Sequence, residues 1–164
     1  MDALTAIAER HSTRAFTNEP VPREVLQKII DAGRRAPSAR NEQPWEFVVV
    51  TEPATRTKLG KLGEFTAPLG AAAACVAVYC KDAKYYLEDG SAAVENILIA
   101  ATALGLQSCW IAGDKKPYCV EAASILGVPL GFKLVALLAL GHGREPGAPV
   151  PKRALETVLH WERW

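Results

Sequence analysis

The feature that most constrains this chain is a set of apolar runs of strand length, closed off by turn residues and separated by segments of helical periodicity. Phe47-Val48-Val49-Val50, Ala71 to Cys80 and Lys133 to Leu140 read as buried strands, and Ser108 to Ala112 adds a shorter one. The alanine content of Ala71 to Cys80 would also permit a helix. Between the runs, Asp2 caps a first helix with Leu4, Ile7 and Ala8 as its apolar face. Pro22 opens a second helix with Val25, Leu26, Ile29 and Ile30 on one side, ending before Pro37. A short helix runs from Pro53 towards Leu62. Ser91 to Leu104 repeats Val94, Ile97, Leu98 and Ala101 at helical spacing and closes on a left-handed Gly105. Tyr118 to Leu126 is stopped by Gly127. Long buried strands among five helices imply a layered domain.

At 164 residues and 49% hydrophobic, the chain fits one domain over 1–164. The net charge of +1, with basic residues scattered, disfavours nucleic acid as a partner. Cys75, Cys80, Cys109 and Cys119 form no CxxC pair and have no metal-ligand spacing with His11, His142 and His160, so no metal is expected. Reduced, largely buried thiols fit a cytoplasmic protein. The start at Met1-Asp2-Ala3-Leu4 lacks a signal-peptide pattern, and Ala71 to Tyr79 is too short to span a bilayer, so no membrane partner is expected.

Three stretches hold the candidate chemistry. Arg10-His11-Ser12-Thr13-Arg14 gathers two guanidinium groups, an imidazole and a hydroxyl where a helix gives way to a loop, which suits a phosphate monoester. Ala36 to Trp45 is a polar loop with two prolines just before a Val-rich strand. The tail from Gly141 to Trp164 is extended yet ends in Trp161 and Trp164, whose large apolar surfaces call for something to pack on, a second subunit being one candidate. Trp45 reads as core, Cys109 as a structural thiol, Asp89 and Ser91 as helix N-terminal signals, and Gly141 to Pro146 as a turn.

Taken in order, these motifs resemble those of the FMN-dependent nitroreductase family. Arg10 to Arg14 is similar to its N-terminal phosphate motif, Ala36 to Trp45 to its flavin loop, and Gly105-Leu106-Gln107-Ser108-Cys109-Trp110 to the segment beneath the isoalloxazine ring. The most specific match is Pro37-Ser38-x-x-Asn41-x-Gln43-Pro44-Trp45 in a single loop. The resemblance covers nearly the whole chain. It implies an α+β fold with a mixed sheet sandwiched by helices, and a C-terminal extension reaching across a homodimer with flavin at the subunit interface. Arg10, Ser12 and Arg14 would hold the FMN phosphate and ribityl chain, with His11 adding a contact and Lys152 or Arg153 joining from the tail. Pro37, Ser38, Asn41 and Gln43 would line the flavin from the partner subunit. Ile111, Ala112 and Gly113 match the segment whose backbone N–H faces flavin N5. Lys81 to Asp89 stands where longer members carry a helical insertion. The implied activity is ping-pong reduction of a small acceptor, such as a nitroaromatic or quinone, by NADH or NADPH, with flavin N5 carrying the hydride and no catalytic side chain. Alternatives are a specialised flavin reaction, such as dehalogenation or enone reduction, and non-catalytic flavin storage or sensing.

Overall fold

The computed structural model describes residues 1–145 and 147–164. Its sheet has four strands, β1 (Trp45–Val50), β2 (Ala74–Lys81), β3 (Gln107–Ala112) and β4 (Phe132–Gly141), in the order β1-β2-β4-β3. Neighbouring strands are antiparallel throughout; the parallel component among the described residues is a bridge from Ser12 to Ser108. The central pair, β2 and β4, is buried almost along its whole length, as two covered faces require.

Strand alternation divides the core into two layers. Val76, Val78, Cys80, Leu138 and Leu140 pack with α2 (Arg23–Gly33) and α5 (Tyr86–Ala103), along with Trp45. Cys75, Ala77, Tyr79, Leu137 and Ala139 pack with α3 (Pro53–Leu59), α4 (Ala67–Ala71) and α6 (Cys119–Leu126). In the β2–β4 register Val78 faces Ala136 and Tyr79 faces Leu134, so Val135 is the extra residue of a bulge. Directly over it, α5 reaches the sheet at Gly90, where a Cβ would stand 2.6 Å from Val135 Cγ2 and 3.0 Å from Cys80 Sγ. A side chain there would force Val135 or the helix to shift.

Several expected boundaries move. The central helix starts at Tyr86 and not Ser91, because Asp89 and Gly90 are themselves buried against the sheet and extend the packed face by more than a turn. The alanine-rich run divides, with Ala67–Ala71 coiling as α4 before β2 begins at Ala74. Asp2 does cap α1 (Ala3–Glu9), its Oδ1 accepting from the Leu4 and Thr5 amides at 3.0 and 3.1 Å. The face that α1 buries is different from the expected one. Small Ala6 turns inward, while Leu4 is 78% and Ile7 53% exposed. Gly105 and Gly127 take the left-handed conformations expected of them. Residues 147–164 are exposed throughout, including Trp161 and Trp164; the His160 and Trp164 rings stack on each other at 4.2 Å. Pro146, the last residue of the stretch read as a turn, lies outside the described residues.

Candidate functional site

As α1 ends, Arg10 leaves the helix with φ −58° and ψ 124°, and the chain runs along the open edge of β3. Thr13 N–H donates to Ser108 O at 2.9 Å. Further on, Thr17 N–H donates to His142 O at 2.8 Å and Arg144 N–H to Ala15 O at 3.1 Å, so the segment is also fastened to the exit of β4. That pairing absorbs the Gly141-His142-Gly143-Arg144 stretch into the frame. Thr13 and Phe16 are buried, while Ser12 and Arg14 are exposed. Arg10 is half-buried with its Nε 3.9 Å from Glu95 Oε1, a loose contact, and Arg14 has no carboxylate partner among the described residues. Burial raises the Cys109 thiol pKa, while the charges of Arg14 and then Arg10 act to lower it. His11 is committed inward. Its Nδ1 donates to Glu9 O at 2.9 Å, and Nε2 is buried without a partner beneath Gly147, where no Cβ could fit.

The Pro37–Gln43 loop is built differently. A short 3₁₀ turn, Ala39–Asn41, contains non-glycine residues at positive φ: Arg40 at 53° and Asn41 at 58°, followed by Gln43 at 48°. Such backbone is unfavourable for residues with a Cβ and persists only when the surroundings enforce it. Ser38 Oγ accepts from Gln43 N–H at 2.9 Å, and Ala39 N–H donates to Asp89 Oδ1 at 2.9 Å. Buried Pro44 and Trp45 anchor the exit, while Pro37, Arg40, Asn41 and Gln43 are exposed.

At the far end of β3, Gly113 N–H donates to Val135 O at 3.1 Å and Asp114 N–H to the same oxygen at 3.3 Å, so the bulge carbonyl pins the strand end. A Cβ on Gly113 would sit 2.6 Å from Leu134 Cγ and 2.9 Å from the Val135 carbonyl. Because adjacent residues of a strand point their backbone groups to opposite sides, Ile111 and Gly113 address β4 while Ala112 addresses the open edge. The Tyr118 hydroxyl accordingly donates to Ala112 O from that side. Beside it the Tyr86 hydroxyl donates to Asp114, and this bond raises the Tyr86 pKa to about 12. Tyr118 and Asp89 are site neighbours that sequence reasoning did not assign. Only a place in the first turn of a helix marked Asp89, and nothing marked Tyr118.

Within one chain β3 joins the Arg10–Arg14 segment, at Ser108, to the Ile111–Gly113 end of the strand. Among the described residues no hydrogen bond or ion pair links the Pro37–Gln43 loop, Lys152 or Arg153 to the Arg10–Arg14 segment; Arg153 instead donates to Thr157 O at 2.7 Å in the exposed tail. The β3 edge is open, and hollows of about 680 and 710 Å³ lie elsewhere, one between α2 and β1 and the other against α6 and the start of β4.

The profile described as Nitroreductase family matches residues 7–77 and 66–142. An Archaeoglobus fulgidus protein provisionally named as an NADH dehydrogenase/NAD(P)H nitroreductase is 33% identical over 173 residues, covering 99% of both chains. A Thermus thermophilus protein named NADH dehydrogenase is 31% identical over 199 residues, covering 98% of this chain and 96% of that one. The solved structure of an FMN-dependent nitroreductase from Clostridium difficile superposes with a TM-score of 0.92 over 98% of this chain and 99% of that one; at 24% identity it speaks for the fold. A sheet with this edge, this strained loop and these full-length relatives has one family to belong to: the chain is a member of the nitroreductase family.

Proposed function

We propose that the protein is an FMN-dependent oxidoreductase that takes hydride from NADH or NADPH and passes electrons to a small acceptor, such as a nitroaromatic or quinone, by a ping-pong mechanism. The observation that carries this reading is the open β3 edge. It has an unpaired guanidinium and a free hydroxyl at one end, on Arg14 and Ser12, and an outward backbone N–H at the other, on Ala112. The four strand steps from Ser108 to Ala112 span roughly 13 Å, enough for a phosphate and an extended sugar-alcohol chain laid along the edge. These groups fit FMN chemically, since every one is a hydrogen-bond donor, as a phosphate and a flavin N5 require.

Bound FMN supplies the hydride-accepting centre. The chain's residues hold and orient it. Arg10, Ser12 and Arg14 grip the phosphate, joined by Lys152 or Arg153 from the tail. Ala112 offers its N–H to N5, with Ile111 and Gly113 fixing that amide by turning their own towards β4. His11 adds a contact to the cofactor from the same segment; its Nδ1 is engaged by Glu9 O, while its Nε2 has no partner among the described residues. Pro37, Ser38, Asn41 and Gln43 line the ring from a second copy of the chain.

A homodimer is supported by three features of the isolated chain: the exposed tail with Trp161 and Trp164, the outward Leu4 and Ile7 of α1, and the separation of the loop from the phosphate segment. In this reading residues 1–164 form one FMN-binding domain whose tail, 141–164, packs on the partner. Reduced thiols support a cytoplasmic setting, and among the described residues no helix is long and apolar enough to cross a membrane. The test is steady-state kinetics with NADH or NADPH and a quinone both varied. Parallel double-reciprocal lines are expected, and intersecting lines would contradict the ping-pong order.

A further inference from the structure

Among the described residues Asp89 is the only buried charged side chain, 6% exposed, and no cation pairs with it. It sits in the first turn of α5, where the helix dipole favours negative charge, beside the Gly90 contact with Val135 and Cys80. Burying a carboxylate is unfavourable unless hydrogen bonds compensate it. Asp89 Oδ2 is buried and unpartnered, so among the described residues the compensation is one bond, from Ala39 N–H to Oδ1 at 2.9 Å. That bond crosses fifty residues of sequence. It is also the only hydrogen bond, among the described residues, that joins residues 37–43 to the rest of the chain; the others are internal to the loop. Left-handed backbone at Arg40, Asn41 and Gln43 would relax if nothing outside the loop held its first residue.

We propose that Asp89 is a positioning residue for the flavin loop: its carboxylate clamps Ala39 N–H and thereby holds the strained turn that presents Asn41 and Gln43. The proposal rests on the flavin reading of this loop, but the clamp itself is visible without flavin. Arg40 is exposed within the turn and gives trypsin a cleavage site whose rate reports loop order directly.

In the full-length protein without added FMN, Asp89→Ala is expected to speed cleavage after Arg40 at least about tenfold, the size of one lost bond to a charged acceptor. Cleavage after Arg153, in the exposed tail, should not change. The same variant should raise the FMN Kd by about tenfold or more. Asp89→Asn keeps an oxygen that can accept from Ala39 and should return both values to within about threefold of the parent. Ala39→Pro leaves Asp89 in place and deletes only the donor. The extended backbone of Ser38 and the first position of a helical turn both admit proline. This variant should weaken FMN binding as Asp89→Ala does, and it decides the matter if Asp89→Ala does not fold. An Arg40 cleavage rate unchanged in Asp89→Ala, or parental FMN affinity in Ala39→Pro, overturns the clamp. If no form, the parent included, binds FMN, the flavin reading fails, and the Arg40 rates alone decide for or against Asp89.

Discussion

The segment from Arg10 to Thr17 and the Pro37–Gln43 loop both offer exposed polar side chains, yet the first is fastened by backbone bonds to β3 and to the exit of β4, whereas the second is a left-handed turn with buried Pro44 and Trp45 at its exit and, among the described residues, one hydrogen bond to the rest of the chain, to a carboxylate. The first segment inherits the rigidity of the sheet, so a side chain there can be removed with little effect on the frame. The second stores strain, so its side chains and its backbone are separate variables. Among the described residues no hydrogen bond or ion pair joins the two within one chain. In the proposed reading a second copy brings them together.

The largest expected effect tests that last point. Replacing both Trp161 and Trp164 by Ala removes the two largest exposed apolar surfaces of the tail and should weaken self-association about 100-fold or more. Sedimentation velocity across a concentration series checks this, and undiminished association would mean that the tail is not the interface. Next, Arg14→Ala should weaken FMN binding about 10- to 100-fold, the range for a lost charged hydrogen bond. The thermal midpoint should stay unchanged, because the bonds from Thr13 and Thr17 remain. Flavin that is still bound should be reduced within about twofold of the parental rate; full flavin retention with loss of reduction would reverse the assignment.

The frame shared by both segments has its own signature in pH. Burial first of all raises the thiols of Cys75 and Cys80 to about 12, with the charge of Asp89 adding to the shift at Cys80. Unfolding returns them to about 9. Below pH 9 both states are protonated and the full stability is present. Above it the unfolded chain loses protons first, so stability should fall by about 1.4 kcal/mol per pH unit for each thiol until the folded thiols ionise near 12. Urea midpoints at pH 8, 9 and 10 check this, and a flat profile would place the thiols nearer solvent. The smallest effect separates amide from backbone in the strained loop. Asn41→Gly strips the side chain at a φ of 58° that glycine adopts freely. FMN binding should weaken about fivefold, with stability unchanged or higher by up to about 1 kcal/mol.

What could be read from the sequence follows the same division. Local signals worked where one segment determines its own structure: Asp2 as a cap, Gly105 and Gly127 as left-handed stops, Trp45 as core and the buried character of β2 and β4. They failed where a neighbour decides. Tyr86 to Gly90 lacks a clear helical stripe, and it coils because the bulge at Val135 leaves a seat for Gly90. Leu4 and Ile7 are spaced like a buried face, but α1 meets α5 through Ala6. At the site, the resemblance named the segments; their roles needed coordinates. The buried Nε2 of His11 under Gly147, the outward amide of Ala112 and the reach of Asp89 to Ala39 depend on contacts between residues far apart in the chain.

The central claim is that the β3 edge and the strained loop hold FMN and expose it to a nicotinamide donor. The most direct measurement is the visible absorption spectrum of the protein after FMN addition and gel filtration, followed by anaerobic NADH and then NADPH. A flavin spectrum that elutes with the protein and bleaches with one of the nucleotides is the predicted result. A protein peak without flavin, or a bound flavin that neither nucleotide bleaches, would contradict it.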